Sequence, residues 1–287
     1  GRMKPVNTFS SELLRKVSHK NDYNGMDADQ VFLSMTQFPN AWFEIPLIYV
    51  NIGNDSIRKI LGVDKKQKLI PFIDFFDEKG NYKLSPYLDK AYKVANPNQF
   101  EKDYVETDKK VNLLNSALSR SILKIFPIPN DANNKWISDL ELNHSGLKGM
   151  DSTFTANILP LYLNSLQNSS LKGDFKESDF YLDGINKYQR KFGDKIMPSE
   201  DKITTEVLYN QFDVFNRLLY WYLFAGMLMF ILTIVKIFKE NKFMAYAVNA
   251  MHIIIGLLFV LHTLGLIARW YISGHAPWSN AYESIIY

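Results

Sequence analysis

Cysteine is absent from all 287 residues. That excludes disulfides, thiolate zinc sites, a cysteine nucleophile and haem bound covalently through a C-x-x-C-H motif of the chain's own. Charge of one sign is scarce as well. A formal net charge of +3, with no arginine-rich arm and no base-stacking sheet, gives nucleic acid nothing to bind. The chain carries no nucleotide-binding glycine motif, no H-E-x-x-H, no G-x-S-x-G and no convincing pair of catalytic acids. Internal repeats and low-complexity tracts are missing too. Where a catalytic constellation would have to announce itself, this sequence is silent, and binding is the better expectation for most of its length.

What is present is unevenly distributed. Residues 218–235 run eighteen positions without a charge, roughly 27 Å of helix at about 1.5 Å per residue, close to the ~30 Å hydrocarbon core of a bilayer. Residues 243–268 form a second, longer stretch without Asp, Glu, Lys or Arg. A buried hairpin in a soluble core is the other reading of one such stretch, and two side by side argue against it. The expected fold is mainly α: a soluble helical domain over 1–217, a transmembrane helix over 218–237, a basic loop over 238–242, a second transmembrane helix over 243–268, and a loop opening a further helix over 269–287. Tyr220, Trp221 and Tyr222, with Trp270 and Tyr271, suit an aromatic belt at one membrane face. Lys236, Lys239 and Lys242 face a single Glu240 around the short loop, against Arg217 and Arg269 at the opposite ends. Positive loops stay cytoplasmic, so the soluble domain and the C-terminal loop are expected on the outer side, with lipid as a partner.

Within 1–217 the pattern is helical with irregular joints. Thr8 precedes an amphipathic stretch holding Leu13, Leu14 and Val17. Asp27 with Gln30 three residues on predicts a capping box ahead of Val31, Phe32, Leu33 and Met35. Residues 45–50 and 69–75 are short apolar runs with a proline each, which limits them to edge strands. Ser85 before Pro86 predicts a helix start. Tyr104, Val111, Leu114, Leu118, Ile122 and Ile125 share one helix face, expected to run until Pro127 and Pro129. Residues 153–166 are expected to kink or split at Pro160, and 175–192 to close at Gly193. Pro198 and Ser199 open a segment, with Leu208, Phe212, Phe215 and Leu219 on one face, that runs unbroken into the first apolar span.

Candidate chemistry gathers at the C-terminus. His19 and His144 sit in polar surroundings and read as surface residues. His252 and His262 lie inside the second span, where an ionisable group is costly. Ten residues of helix separate them by about 15 Å and roughly 80° of rotation, so they cannot share one metal ion. Each is either one axial ligand of a haem held between helices or a histidine bonded across a helix pair. His275 follows Gly274 and precedes Ala276 and Pro277, a turning backbone that would hold the imidazole at the interface. Glu283 falls in the next apolar stretch and needs a partner, with Arg269 the obvious one; an interface salt bridge without any ligand is the plainer alternative. A second histidine-poor reading of the whole chain is a two-helix membrane receptor or sensor with a ligand-binding outer domain.

Arg269, Trp270, Ser273, Gly274, His275, Pro277, Ser279, Asn280, Tyr282, Glu283 and Ser284, with Trp278 among them, stand at spacings that resemble the early signature of the CcsA/ResC family. These are polytopic membrane proteins of System II cytochrome c biogenesis. Residues 1–8 and 206–210 resemble the domain preceding that core in large fused CcsBA-type proteins of Bacteroidetes. The resemblance implies an internal piece of a longer cytochrome c synthase, a haem lyase in type, in the bacterial inner membrane with its soluble domain in the periplasm. It implies haem as cofactor and apocytochrome c and a CcsB/ResB-type half as partners. His275, His262, His252, Trp278 and Arg269 are the candidate cofactor-binding residues by their chemistry and place, while His275 belongs to the early signature and His252 and His262 match no ligand position of the family. The family's tryptophan-rich core and its flanking ligand histidines have no counterpart within these residues.

Overall fold

A computed structural model describes residues 3–239 and 241–276. They divide into two compact units, one of residues 9–197 and one combining the N-terminal residues through Thr8 with the chain from Pro198 onward. Each is taken by itself.

In the larger unit, α1 (Val6–Ser18) leads into a two-residue ribbon of β1 (Asp22–Tyr23) and β2 (Met26–Asp27), then α2 (Ala28–Gln37) and the short α3 (Pro39–Phe43). The Asp27 carboxylate accepts from the Gln30 backbone N–H at 2.9 Å and the Gln30 side chain accepts from Asp27 N–H at 3.0 Å, the reciprocal cap expected from sequence. β3 (Pro46–Tyr49) and β4 (Leu69–Pro71) pair antiparallel around α4 (Asp55–Leu61), with Pro46 opposite Pro71 at the end of the ladder, where a missing N–H costs least. α5 (Ser85–Lys93) and α6 (Gln99–Leu118) follow, then the ribbon of β5 (Phe126–Pro127) and β6 (Trp136–Ile137), and the pair α7 (Gly149–Lys172) and α8 (Lys176–Gly193). The core joins Leu14, Phe32, Met35, Ile48, Ile70, Phe75 and Leu114, all nearly or fully inaccessible to solvent.

Three joints depart from expectation. Ser85 is the first helical residue of α5 rather than its cap, which is Leu84. α6 stops at Leu118, nine residues short of Pro127: Ser119 caps it and Arg120 takes a left-handed φ of 61°. Ile122 and Ile125 still pack on the core from the following turns, which is why their spacing looked helical. α7 runs through Pro160 without a break. Proline there removes only the bond to the Ala156 carbonyl. Both residues face solvent, while Thr155, Ile158, Leu159 and Leu163 are buried on the other side and hold the helix together.

A fully buried arginine pins the larger unit. Arg58 donates to the carbonyls of Val50 at 2.7 Å, Asn51 at 2.6 Å, Asn54 at 3.4 Å and Gln67 at 3.0 Å. Four carbonyls disperse the charge where no carboxylate is in bonding range, and α4 is thereby tied to both flanks of the β3–β4 ribbon.

The smaller unit is three helices: α9 (Glu200–Phe212), α10 (Val214–Phe238) and α11 (Lys242–Ser273). Ser199 caps α9, its hydroxyl accepting from Lys202 N–H. The expected unbroken run into the apolar span does not occur. Asp213 sits at φ 44° and ψ 51°, left-handed, and separates α9 from α10. Aspartate tolerates that region better than most residues, and the Asn216 amide donates to both carboxylate oxygens at 3.0 and 2.9 Å, holding the turn. α10 and α11 are each long and apolar enough to cross a membrane. Their large apolar side chains are outward over much of their length: Phe224, Met227, Phe230, Ile253 and Phe259 are more than 60% exposed, an extended apolar surface of the kind that meets lipid or protein. The fold is thus a soluble helical domain followed by two candidate transmembrane helices.

Candidate functional site

α11 carries most of the candidate residues, and its length changes where they stand. It continues to Ser273, so Arg269 and Trp270 lie in its last turns instead of in a loop beyond the span. The apolar pattern persists there, with Ile272 buried and Trp270 and Tyr271 exposed. Arg269 is half-buried. Lys202 of α9 stands 5.7 Å over the Tyr271 ring, which links α9 to this end of α11. Gly274 ends the helix in a left-handed turn (φ 77°), its N–H donating to the Trp270 carbonyl at 2.9 Å. The Ser273 hydroxyl donates to the His275 carbonyl at 3.0 Å, so His275 is presented on a tight turn, exposed to its surroundings. Pro277, Trp278, Asn280, Tyr282 and Glu283 lie outside the described residues.

The two histidines inside α11 are held differently. The His252 ring is exposed, with Nδ1 2.9 Å from the Val248 carbonyl one turn back. A proton on Nδ1 satisfies that contact and leaves the Nε2 lone pair directed away from the helix. His262 is half-buried against α10 between two rings, Phe215 at 5.1 Å and Tyr222 at 6.3 Å, both edge-on. One turn on, Gly265 lets the helices close. A methyl there would stand 3.2 Å from Val214 and 3.4 Å from Phe215. His262 is therefore gripped by packing, His252 by its own backbone, and the structure does not bring the two together. Among the described residues no group of three or more acids and histidines converges as a metal would require.

Sequence reasoning missed a polar anchor below this region. Glu206 of α9 is 4% exposed and accepts from the Thr8 hydroxyl at 2.8 Å, and Asn210 donates to the same hydroxyl oxygen at 2.8 Å. Nearly 200 residues separate Thr8 from these partners, so no local spacing could reveal the pairing.

In the larger unit, His144 is exposed, as expected. His19 is exposed as well, as expected, but it has partners. Its ring stacks on Tyr49 at 4.1 Å, and Nε2 lies 3.2 Å from the Lys110 ammonium and 3.8 Å from the Glu106 carboxylate. Partial burial and then the Lys110 charge lower its pKa, with Glu106 opposing. Lys110 also donates to the Tyr49 carbonyl at 3.1 Å and pairs with Glu106 at 2.6 Å. The Tyr92 hydroxyl of α5 donates to Asp108 of α6 at 2.7 Å, and partial burial together with that bond pushes its pKa up to about 12. Such groups hold their protons through the physiological range and build structure rather than acid–base chemistry.

No family model matches the chain. It is similar to protein NrfI of Wolinella succinogenes, 33% identical over 289 aligned positions that take in all of this chain and 31% of NrfI. The chain thus spans about a third of that relative's length. The likeness runs through the soluble helices as well as the apolar ones, well beyond the short C-terminal motif.

Proposed function

We propose that this chain is part of a membrane protein of cytochrome c biogenesis that delivers haem and attaches it to apocytochrome c. The observation that carries the reading is the whole-length likeness to NrfI, joined to two apolar helices that lead directly into the C-terminal motif. On this reading α10 and α11 cross the bacterial inner membrane. The loop bearing Lys239 faces the cytoplasm, and residues 9–197 and His275 face the periplasm. The soluble unit binds apocytochrome c or a CcsB/ResB-type partner, consistent with a core built around structural polar anchors and no catalytic constellation.

The residues present fit haem in part. His252 can offer an unshared Nε2 lone pair, and His262 an imidazole walled by aromatic rings. Either histidine would give the haem iron one imidazole nitrogen, and any second ligand would have to come from another residue. Arg269 supplies a cation for a propionate near the helix end, where His275 stands on its turn and Trp278 follows. When bound, haem supplies the vinyl groups that the thiols of apocytochrome c take up, and a chain without cysteine cannot compete for them. What these side chains do is hold, orient and keep water from the porphyrin edge.

Haem titrated into the purified full-length protein should give a histidine-ligated Soret band that weakens in His262→Ala. A spectrum of free haem, or one indifferent to substitution of His252, His262 and His275 together, contradicts the assignment of haem to this part of the protein.

A further inference from the structure

α9, α10 and α11 enclose a groove of about 740 Å³ that the haem reading does not use. Its α11 wall combines three leucines, Leu258, Leu261 and Leu264, with two residues that have almost no side chain, Gly265 and Ala268. Leu258, Leu261, Gly265 and Ala268 follow at steps of three, four and three, one continuous stripe. α10 contributes Arg217, Leu218 and Trp221. From Leu258 to Ala268 the stripe is about 15 Å long at ~1.5 Å per residue, half of a ~30 Å hydrocarbon core. That is the depth of a single leaflet.

The one full charge lining this apolar groove is Arg217. It is exposed, and among the described residues its guanidinium makes neither an ion pair nor a hydrogen bond. It is also the last charged residue before the uncharged stretch 218–235, the level at which a long basic side chain reaches for headgroups. Thr205 of α9 adds a hydroxyl to the lining. A cation and a hydroxyl bordering an apolar trench one leaflet deep have the chemistry of a phosphodiester above an acyl chain. Trp221, with an amphipathic ring, is the residue type that marks the same boundary.

We propose that this groove is a binding site for an anionic phospholipid, one acyl chain lying along the Leu258–Ala268 stripe and the phosphate on Arg217. The site rests on the reading of α10 and α11 as membrane-crossing. It orders a lipid on the outer-leaflet side of the helix pair and fills the groove.

The test uses the full-length protein in vesicles containing phospholipids brominated on the acyl chain, which quench nearby tryptophan. Trp221→Phe supplies the background from every other tryptophan of the full-length protein. Brominated phosphatidylglycerol should quench Trp221 with an apparent affinity about fivefold above brominated phosphatidylcholine, the preference one arginine gives at a membrane surface. Arg217→Gln should abolish the difference and Arg217→Lys keep most of it. Equal quenching by the two lipids, or a preference that survives Arg217→Gln, overturns the proposal. So does an absence of quenching in protein that floats with the vesicles, because the groove would then be covered by protein. Failure to float overturns the membrane reading itself, which separates the two outcomes.

Discussion

The two units solve opposite solvent problems with similar residues. In residues 9–197 the large apolar side chains are inside, and the few buried charges are tied down by several partners each, as Arg58 is by four carbonyls. In α10 and α11 most large apolar side chains point outward, and the few buried positions mix the small Ala225 and Gly265 with Leu218, Val248, Met251 and Leu266. Burial by hydrophobicity drives the first arrangement. It cannot drive the second, because lipid is as apolar as the helices, so close packing and a few polar contacts are left to hold them. His262 between Phe215 and Tyr222 belongs to that second kind of contact.

The contrast can be broken most forcefully at Arg58. Arg58→Ala leaves four carbonyls buried and unsatisfied, and the larger unit should lose on the order of 3–5 kcal/mol. Urea unfolding of the full chain, followed by near-ultraviolet circular dichroism, measures this. An unchanged midpoint would mean that water replaces the guanidinium freely, and that the unit is far looser than its core implies.

A pair of glycine substitutions sharpens the comparison at the next level. A methyl at Gly193 would overlap the indole ring of Trp136 against which α8 ends. Gly193→Ala should therefore destabilise the larger unit by about 1–3 kcal/mol through overpacking. Gly265→Ala meets Val214 and Phe215 at gentler distances and should cost about 1 kcal/mol or less. Its effect belongs to the α10–α11 seam, so engineered cross-links between the two helices should slow while the soluble unfolding midpoint stays fixed. Equal effects of the two changes on that midpoint would erase the distinction.

The smallest expected effect is a pH dependence at His19. Its folded pKa lies below the unfolded value of about 6.5, so the fold favours the neutral ring. The stability this contributes is present above pH ~6.5 and is lost as pH falls through the lowered folded pKa. Between about pH 7 and pH 5 the urea midpoint of the wild type should drop more steeply than that of His19→Asn. Asparagine is chosen because position 19 has a φ of 59°. Parallel slopes would show that Glu106 offsets both burial and Lys110.

Much of this architecture was legible because it is local. The Asp27–Gln30 capping box, the proline-bounded strands and the two apolar spans depend on spacing over a few residues. The missed features have two physical sources. One is a residue acting outside its usual role: Asp213 breaks a helix where glycine would be expected, and Pro160 fails to break one because solvent can serve the carbonyl it abandons. The other is distance along the chain. His19 meets Tyr49 and Lys110, and Thr8 meets Glu206, only after folding. At the candidate site, the residue types were visible and their setting was not. Arg269 and Trp270 have the composition of a loop, yet the helix runs three residues past Trp270.

The claim on which the rest depends is that the short basic loop and the C-terminal turn lie on opposite sides of a membrane. The chain has no cysteine of its own, so with any thiol elsewhere in the full-length protein replaced, single thiols can be read without background. Ala276→Cys should react with a membrane-impermeant maleimide added to cells whose outer membrane is opened, and Lys239→Cys only after the inner membrane is breached as well. Labelling of both positions before that breach would contradict the account.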